Sequence, residues 1–324
     1  MSSLTPLREL VEARIAQLKL ERQPAELYDP IAYTMALGGK RMRPILTLLG
    51  CQLFGGQPED ALSAAVGIEV FHNFTLLHDD IMDDAPLRRN QPTVHAKWNA
   101  DIALLSGDVM FVIANQLMLE SKQSEWPRIL PVFHQTSIEV CEGQQLDMNF
   151  ETASGVSIDD YIGMIGFKTA VLLAASLKIG AYLGGADEEH AEHAYQFGRH
   201  LGIAFQLQDD LLDVYGDPAK FGKQVGGDIL SNKKTFLLLK AMELAEGDAA
   251  TELNAWLERT EFDKAEKVAA VTRIYNGLNI HEITTAEMDR HYQQAMEQLA
   301  AIPVPEANKA GLRAIAEMLM VREV

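Results

Sequence analysis

Apolar residues recur along this chain at the three- and four-residue spacing of a helix, from Leu7, Leu10, Val11, Ile15 and Leu18 at the start to Leu312, Ile315, Ala316 and Leu319 at the end. That spacing places a stripe on one face of a helix, whereas the alternation of β-branched residues that marks strands is scarce. The pattern predicts an all-α fold. Helix breaks are expected at Arg43-Pro44, Gly55-Gly56-Gln57-Pro58, Ala85-Pro86, Trp126-Pro127, Gly184-Gly185, Asp217-Pro218, Gly226-Gly227 and Pro303-Val304-Pro305. They imply roughly ten or more helices, several long enough to span a domain.

No low-complexity linker or composition shift divides the chain, so a single domain over residues 1–324 is expected. There is an internal echo: LHDDIMD at 77–83 and LQDDLLD at 207–213 share one pattern. A helical bundle around a central cavity, with the two segments facing each other, is the simplest architecture that uses both.

Composition narrows the chemistry. With 28 Lys and Arg against 46 Asp and Glu, a net charge of −18 disfavours nucleic acid or an anionic lipid surface as general partners. An anionic ligand would need a local basic patch. The N-terminus carries charge from Arg8 onward, which reads as an amphipathic helix rather than a secretion signal. The apolar stretches 45–56 and 169–186 are interrupted by Gln52, by Lys178 and by glycines, so no transmembrane segment is expected. Cys51 and Cys141 lack CxxC spacing and read as buried, reduced thiols of a cytoplasmic protein.

Asp79, Asp80, Asp83 and Asp84 fall in the last two turns of a helix that Pro86 should stop at Ala85. Anions are disfavoured at the negative end of a helix dipole, and like charges four apart repel. Something positive must compensate. Asp79 and Asp83, ~6 Å apart along the axis, point to one side, where oxygen-only ligation suits Mg²⁺ completed by waters and substrate phosphates. An isolated motif of this kind is more often a solvated acidic face. Its repetition by Asp209, Asp210 and Asp213, again near a helix end and followed by Lys220, Lys223, Lys233 and Lys234, favours two carboxylate walls gripping one polyphosphate.

Further anion-binding candidates lie in Gly38-Gly39-Lys40-Arg41-Met42-Arg43-Pro44, which is not a P-loop, and at His72, seven residues before Asp79 and on nearly its face. Lys168-Thr169 reads as the start of an apolar helix. Gly143, Gln144 and Asp147 hint at interior hydrogen bonding, and the histidines at 190 and 193 are expected on a solvated face. No nucleophile is paired with a base, so the chemistry should be metal-assisted and electrophilic.

Taken in order, GGKRMRP, HNFTLLHDDIMDDAPLRR, EGQQLD, KT at 168, FQLQDDLLD and GKQVGGDILSNKKT resemble the trans-isoprenyl diphosphate synthases, the polyprenyl synthetase family, over nearly the whole length. The resemblance implies an isoprenoid synthase-like helical fold and head-to-tail condensation of isopentenyl diphosphate with an allylic diphosphate (dimethylallyl, geranyl or farnesyl). It implies Mg²⁺, about three ions per site, at Asp79, Asp83 and Asp209 with Asp210 and Asp213 alongside. By the same resemblance Arg88, Lys168, Lys223 and Lys233 grip the allylic diphosphate, while Lys40, Arg43, His72 and Arg89 form the isopentenyl diphosphate pocket. Thr169 and Gln206 would line the path of the developing cation.

The mechanism the resemblance implies is one in which metal ions and lysines would make the allylic diphosphate a leaving group. The carbon cation would then be attacked by the double bond of isopentenyl diphosphate, with loss of a proton to the departing pyrophosphate. In the family that the chain resembles, bulk at the fifth and fourth positions before the first aspartate closes the product tunnel; one aromatic, Phe74, and one small residue, Thr75, at these positions imply an intermediate stop at farnesyl or geranylgeranyl diphosphate. A homodimer is implied too. A class I terpene cyclase would carry a different second metal motif, and a non-catalytic subunit of a heteromeric synthase tends to lose an aspartate motif; both motifs are present here.

Overall fold

The computed structural model describes residues 4–216 and 226–320, and the helical periodicity is realised almost throughout. In chain order the helices are α1 (Thr5–Ala16), α2 (Ala25–Ala36), α3 (Met42–Leu53), α4 (Leu62–Met82), α5 (Val94–Lys97), α6 (Ala100–Leu119), α7 (Trp126–Thr152), α8 (Ile158–Ile165), α9 (Val171–Leu183) and α10 (Glu188–Tyr215). Then follow α11 (Gly227–Leu230), α12 (Phe236–Leu244), α13 (Gly247–Glu258), α14 (Lys264–Gly277), α15 (Ile280–Ala301) and α16 (Glu306–Met320). Strands are confined, among the described residues, to the hairpin β1 (Leu87–Arg88) and β2 (Gln91–Pro92). The expected breaks fall at helix ends or in first turns, where Pro44 and Pro127 lack an N–H that a first turn does not use. Asp217-Pro218 lies outside the described residues.

Contacts cluster into two compact units, one drawn from residues up to Thr136, Leu172–Tyr195 and Ile302–Leu312, the other from Ser137–Val171, Gln196–Ala301 and Arg313 onward. In the first, the two apolar stretches of the sequence become α3 and α9. The glycines that interrupt them are where these helices meet. A Cβ on Gly50 would lie 2.6 Å from Leu177 O, and one on Gly180 or Gly184 would collide with Thr47 O or Cys51 O. In the second unit, Tyr161, Met164, Ile165, Ala170, Ile203, Leu207, Phe236 and Leu239 form one apolar core. Leu211, Val214, Leu237, Leu253, Trp256, Val271, Ile274 and Ile280 belong to another.

Several expectations need correction. The first aspartate-rich helix stops at Met82, with Asp83 as its C-cap and Asp84 at φ +47, so the chain turns out before Ala85. Asp83 N still donates to Asp79 O, which keeps the four-residue spacing. Cys51 is buried, but Cys141 is exposed on α7. Lys168-Thr169 does not open a helix. It sits in a π-helical turn, Gly166–Ala170, between α8 and α9, an extra-residue distortion often found at functional positions. Apart from these corrections, Ala100–Leu119 and Ile158–Leu183 are long and apolar enough to cross a membrane by length and composition, a test that the buried core helix of a folded protein also passes; the second is mostly buried within the protein.

Candidate active site

In the first unit, the end of α4 and the hairpin after it set out the acidic and basic groups. The hairpin turn places Arg89 at φ +53 and Asn90 at φ +61, the paired positive angles of a tight two-residue turn. Consecutive arginines thereby reach different partners. Arg88 Nε donates to both oxygens of buried Asp80, at 2.8 and 2.9 Å, and its Nη2 lies 2.7 Å from Oδ1. Arg89 Nη1 donates instead to Gly38 O. Gly39, at φ +138, has no room for a Cβ because one would lie 2.9 Å from Arg89 Nη2.

Behind this loop, Arg41 is buried and held by Glu69 at 2.7 Å, by Glu12 at 2.9 Å and by Met35 O at 2.8 Å. Burial alone would lower its pKa, yet the two carboxylates raise it overall. Arg41 is thus committed to the fold. Arg43 is different: its Nη1 meets His72 Nε2 at 3.0 Å, its buried Nε has no partner, and burial followed by the charge of Arg89 pushes it down to about 10. His72 lies well below the usual histidine range, through burial and then the charges of Arg43 and Arg89. It is therefore neutral at pH 7, with Arg43 donating to it. Crowded cations around a buried, unpartnered N–H make a pocket suited to an anion. Lys40 is exposed on the same loop.

Asp79 and Asp83 follow one another on the helix by a single turn, and Asp83 is exposed. Thr75, four residues before Asp79, shares its face, and its hydroxyl donates to His72 O at 2.8 Å. Phe74 packs on Phe111 and His78.

In the second unit, α10 carries Asp209, Asp210 and Asp213 in its last two turns. Asp210 is buried. Tyr161 of α8 donates to its Oδ2, and Gln206 Nε2 donates to Oδ1 at 3.1 Å. Burial, then the charge of Asp228, pushes this carboxyl up to about 7, while Lys233 acts to lower it. Thr169 donates to Gln206 Oε1 at 3.2 Å, joining the π-helical turn to the same network. Asp213 Oδ2 accepts from Asp228 N at 2.9 Å, anchoring α11 to the end of α10. Lys168 pairs with Asp147 of α7. This approach depends on Gly143, where a Cβ would lie 2.7 Å from Lys168 Cα. Lys234 bonds Phe150 O and Glu151 O, the final carbonyls of α7, and so has a capping role. Lys223 lies outside the described residues. Beyond the motif, Gln208 Nε2 donates to Met320 O at 3.1 Å.

One division recurs. In each motif the second aspartate is locked into the protein, Asp80 by Arg88 and Asp210 by Tyr161 and Gln206, and the first and last stand one turn apart. Among the described residues no three His, Cys, Asp or Glu side chains form a ready-made metal cluster. Pairs of carboxylate oxygens with no nitrogen or sulfur donor nevertheless fit Mg²⁺, which keeps waters and takes phosphate oxygens rather than an all-protein cage. Tyr161, Asp147 and Asp228 were not assigned from sequence as site residues; only Asp147 left a signal, as a polar position in an apolar run.

Residues 24–275 match the family described as Polyprenyl synthetase. The chain belongs to this family. A short chain isoprenyl diphosphate synthase of Methanothermobacter thermautotrophicus is 36% identical over all of this chain and 98% of its own. A crystal structure of a geranylgeranyl pyrophosphate synthase superposes with a TM-score of 0.94 at 42% identity, covering both chains fully. A geranylgeranyl pyrophosphate synthase from Corynebacterium glutamicum, solved with isoprenyl diphosphate and magnesium, gives 0.83 at 28% identity over 99% of this chain and 97% of that one. Other relatives are named as farnesyl and geranylfarnesyl diphosphate synthases. This polyprenyl synthetase is therefore a prenyltransferase that makes trans-prenyl diphosphates by joining isopentenyl diphosphate to an allylic diphosphate. Family membership carries Mg²⁺-dependent catalysis with it.

Proposed function

We propose that the anion pocket around Arg43, His72 and Arg89, with Lys40 at its edge, binds the diphosphate of isopentenyl diphosphate. The buried, unpartnered Nε of Arg43 beside a second guanidinium carries this reading. Asp79, Asp83, Asp209 and Asp213 hold the Mg²⁺ ions, about three in all, with buried Asp210 alongside, kept in place by Tyr161 and Gln206, and Arg88, Lys168, Lys223 and Lys233 grip the allylic diphosphate. The metal, when bound, supplies electrostatic stabilisation of the departing pyrophosphate.

The protein's own groups do the rest. Arg88 and Tyr161 fix the second aspartate of each motif and so orient the helix ends that present the others. Neutral His72 keeps Arg43 aligned without adding positive charge. Thr169 and Gln206, hydrogen-bonded to each other, line the path of the developing allylic cation, and fixed binding of both substrates turns a two-body encounter into a positioned attack. Phe74 and Thr75 limit growth to farnesyl or geranylgeranyl diphosphate. Relatives named for farnesyl and for geranylgeranyl diphosphate are consistent with that range, and a geranylfarnesyl diphosphate synthase among them marks the next longer product as the alternative.

We also propose a homodimer. On α6, Leu104, Leu105, Val112 and Leu119 are all exposed, an apolar stripe that also bears Asp108 and Gln116. A second copy suits such a mixed face better than lipid does.

The test is incubation of purified protein with Mg²⁺, isopentenyl diphosphate and dimethylallyl, geranyl or farnesyl diphosphate, followed by chromatography of the dephosphorylated products. Farnesol or geranylgeraniol is expected; cyclic hydrocarbons would point to a cyclase, and no product to a non-catalytic subunit. Asp79→Ala should abolish turnover with the circular dichroism spectrum unchanged. Retained activity at saturating metal would remove Asp79 from the metal site.

A further inference from the structure

α4 and α6 run antiparallel, and their facing residues can be read level by level. Gly67 faces Ala114 and Met118, Phe74 faces Phe111, and His78 faces Gly107. At ~100° per residue, Phe74 is turned about 140° from Asp79 and lies on the side of α4 that meets α6, not directly beneath the carboxylates. Its ring sits 5.6 Å from Phe111 and 4.7 Å from His78, the latter edge to face. Something must hold a half-buried phenylalanine in one rotamer if it is to stop a growing hydrocarbon at a defined depth.

His78 has the geometry to do so. Its Nε2–H donates to Leu104 O at 3.1 Å, which fixes both the tautomer and the plane of the ring. Below it, Gly107 leaves a gap that the imidazole fills. A Cβ there would lie 2.5 Å from His78 Cδ2 and nearer still to Nε2. The imidazole is therefore tied at one edge to a helix carbonyl, seated on a glycine and presented to Phe74. An aliphatic residue could fill the same space, but it could not bond Leu104 O or offer a ring edge.

We propose that His78 is a positioning residue for product length: seated over Gly107 and tied to Leu104 O, it holds Phe74 in the orientation that ends chain growth. This rests on the reading above that Phe74 limits the hydrocarbon. Length control then belongs to the α4–α6 pair, with Phe111 packed against the same Phe74 ring.

The experiment compares the dephosphorylated products of the full-length enzyme with those of Phe74→Ala, His78→Ala, His78→Phe, His78→Gln and the Phe74→Ala/His78→Ala double variant. Initial rates and thermal melts are measured in parallel. His78→Ala should move the main product at least one five-carbon unit longer while the KM for isopentenyl diphosphate changes less than about threefold. His78→Phe, which keeps a ring but loses the carbonyl bond, should give a mixture of lengths. His78→Gln, which keeps a donor but loses the ring, should lengthen like alanine and serves if the alanine variant does not fold. The double variant should match Phe74→Ala alone, because His78 acts through Phe74.

If Phe74→Ala lengthens the product but neither His78→Ala nor His78→Gln does, the inference is wrong and the Phe74 reading stands. If Phe74→Ala itself changes nothing, both fail. Further lengthening in the double variant would place His78 against the hydrocarbon directly and overturn the positioning role. A lower melting temperature with an unchanged product would reduce His78 to a packing residue.

Discussion

Replacing Arg89 by Gln separates two arginines that neighbour each other in sequence but not in partner. Arg89 depresses the titration of both Arg43 and His72, and Glu69 is the counter-charge felt by Arg43 and Arg89 alike. The pocket's own side chains thus carry more positive than negative charge, and a diphosphate would relieve the imbalance. Removing Arg89 takes away one hydrogen bond to a charged ligand, worth about 1.5–3 kcal/mol. At ~1.4 kcal/mol per factor of ten, the KM for isopentenyl diphosphate should rise roughly 10- to 150-fold.

Stability should barely change, because relief of repulsion at a part-exposed site and loss of the Gly38 carbonyl bond oppose each other at about 1 kcal/mol or less each. The assay is initial rate against labelled isopentenyl diphosphate at saturating allylic diphosphate, then the reverse, with thermal melts as control. A rise confined to the KM of the allylic substrate would refute the assignment of the pocket. An equal fall in kcat and kcat/KM with both KM values unchanged would move Arg89 to the transition state.

Three further outcomes are expected. Asp210, whose folded pKa of about 7 exceeds the ~3.9 of an unfolded aspartate, contributes stability that is full below about pH 4 and is lost as pH rises to about 7. Metal-free protein should accordingly melt lower across that window, and Asp210→Asn should flatten the slope; an unaltered slope would mean that other groups cause it. Arg41→Met leaves buried Glu69 without its cation, so denaturant curves should show a loss of about 3–5 kcal/mol, partly recovered by adding Glu69→Gln. Gly180→Ala pushes a methyl onto Thr47 O and should cost about 3 kcal/mol by urea titration; a neutral effect would mean that α3 and α9 can separate cheaply.

Local rules carried the reading of the sequence as far as local physics reaches. Periodicity located the long helices, proline and glycine located their ends, and the repeated aspartate spacing located both acidic helix termini. What escaped depends on contacts distant in sequence. Tyr161 lies 49 residues from Asp210, and an apolar run gives no hint that its tyrosine will end on a carboxylate. The π-helical turn at Lys168 differs from an α-helix by one residue, less than hydrophobic spacing resolves. Pro86 marked the end of α4 three residues late because the chain leaves the helix through left-handed Asp84 rather than at the proline. The basic run around residue 40 looked uniform, yet burial divides Arg41, consumed by Glu69 and Glu12, from Arg43, which has a bare N–H.

The bond from Gln208 to Met320 O has a practical side. It pins the last described turn of α16 one residue away from Asp209, so a purification handle placed within a few residues of Met320 would be tethered close to the second aspartate motif. A histidine tag there would bring imidazoles within reach of divalent ions needed for turnover and would compete for them. Kinetic and metal-titration work on this enzyme is better done with the handle at the opposite end of the chain, or with it removed.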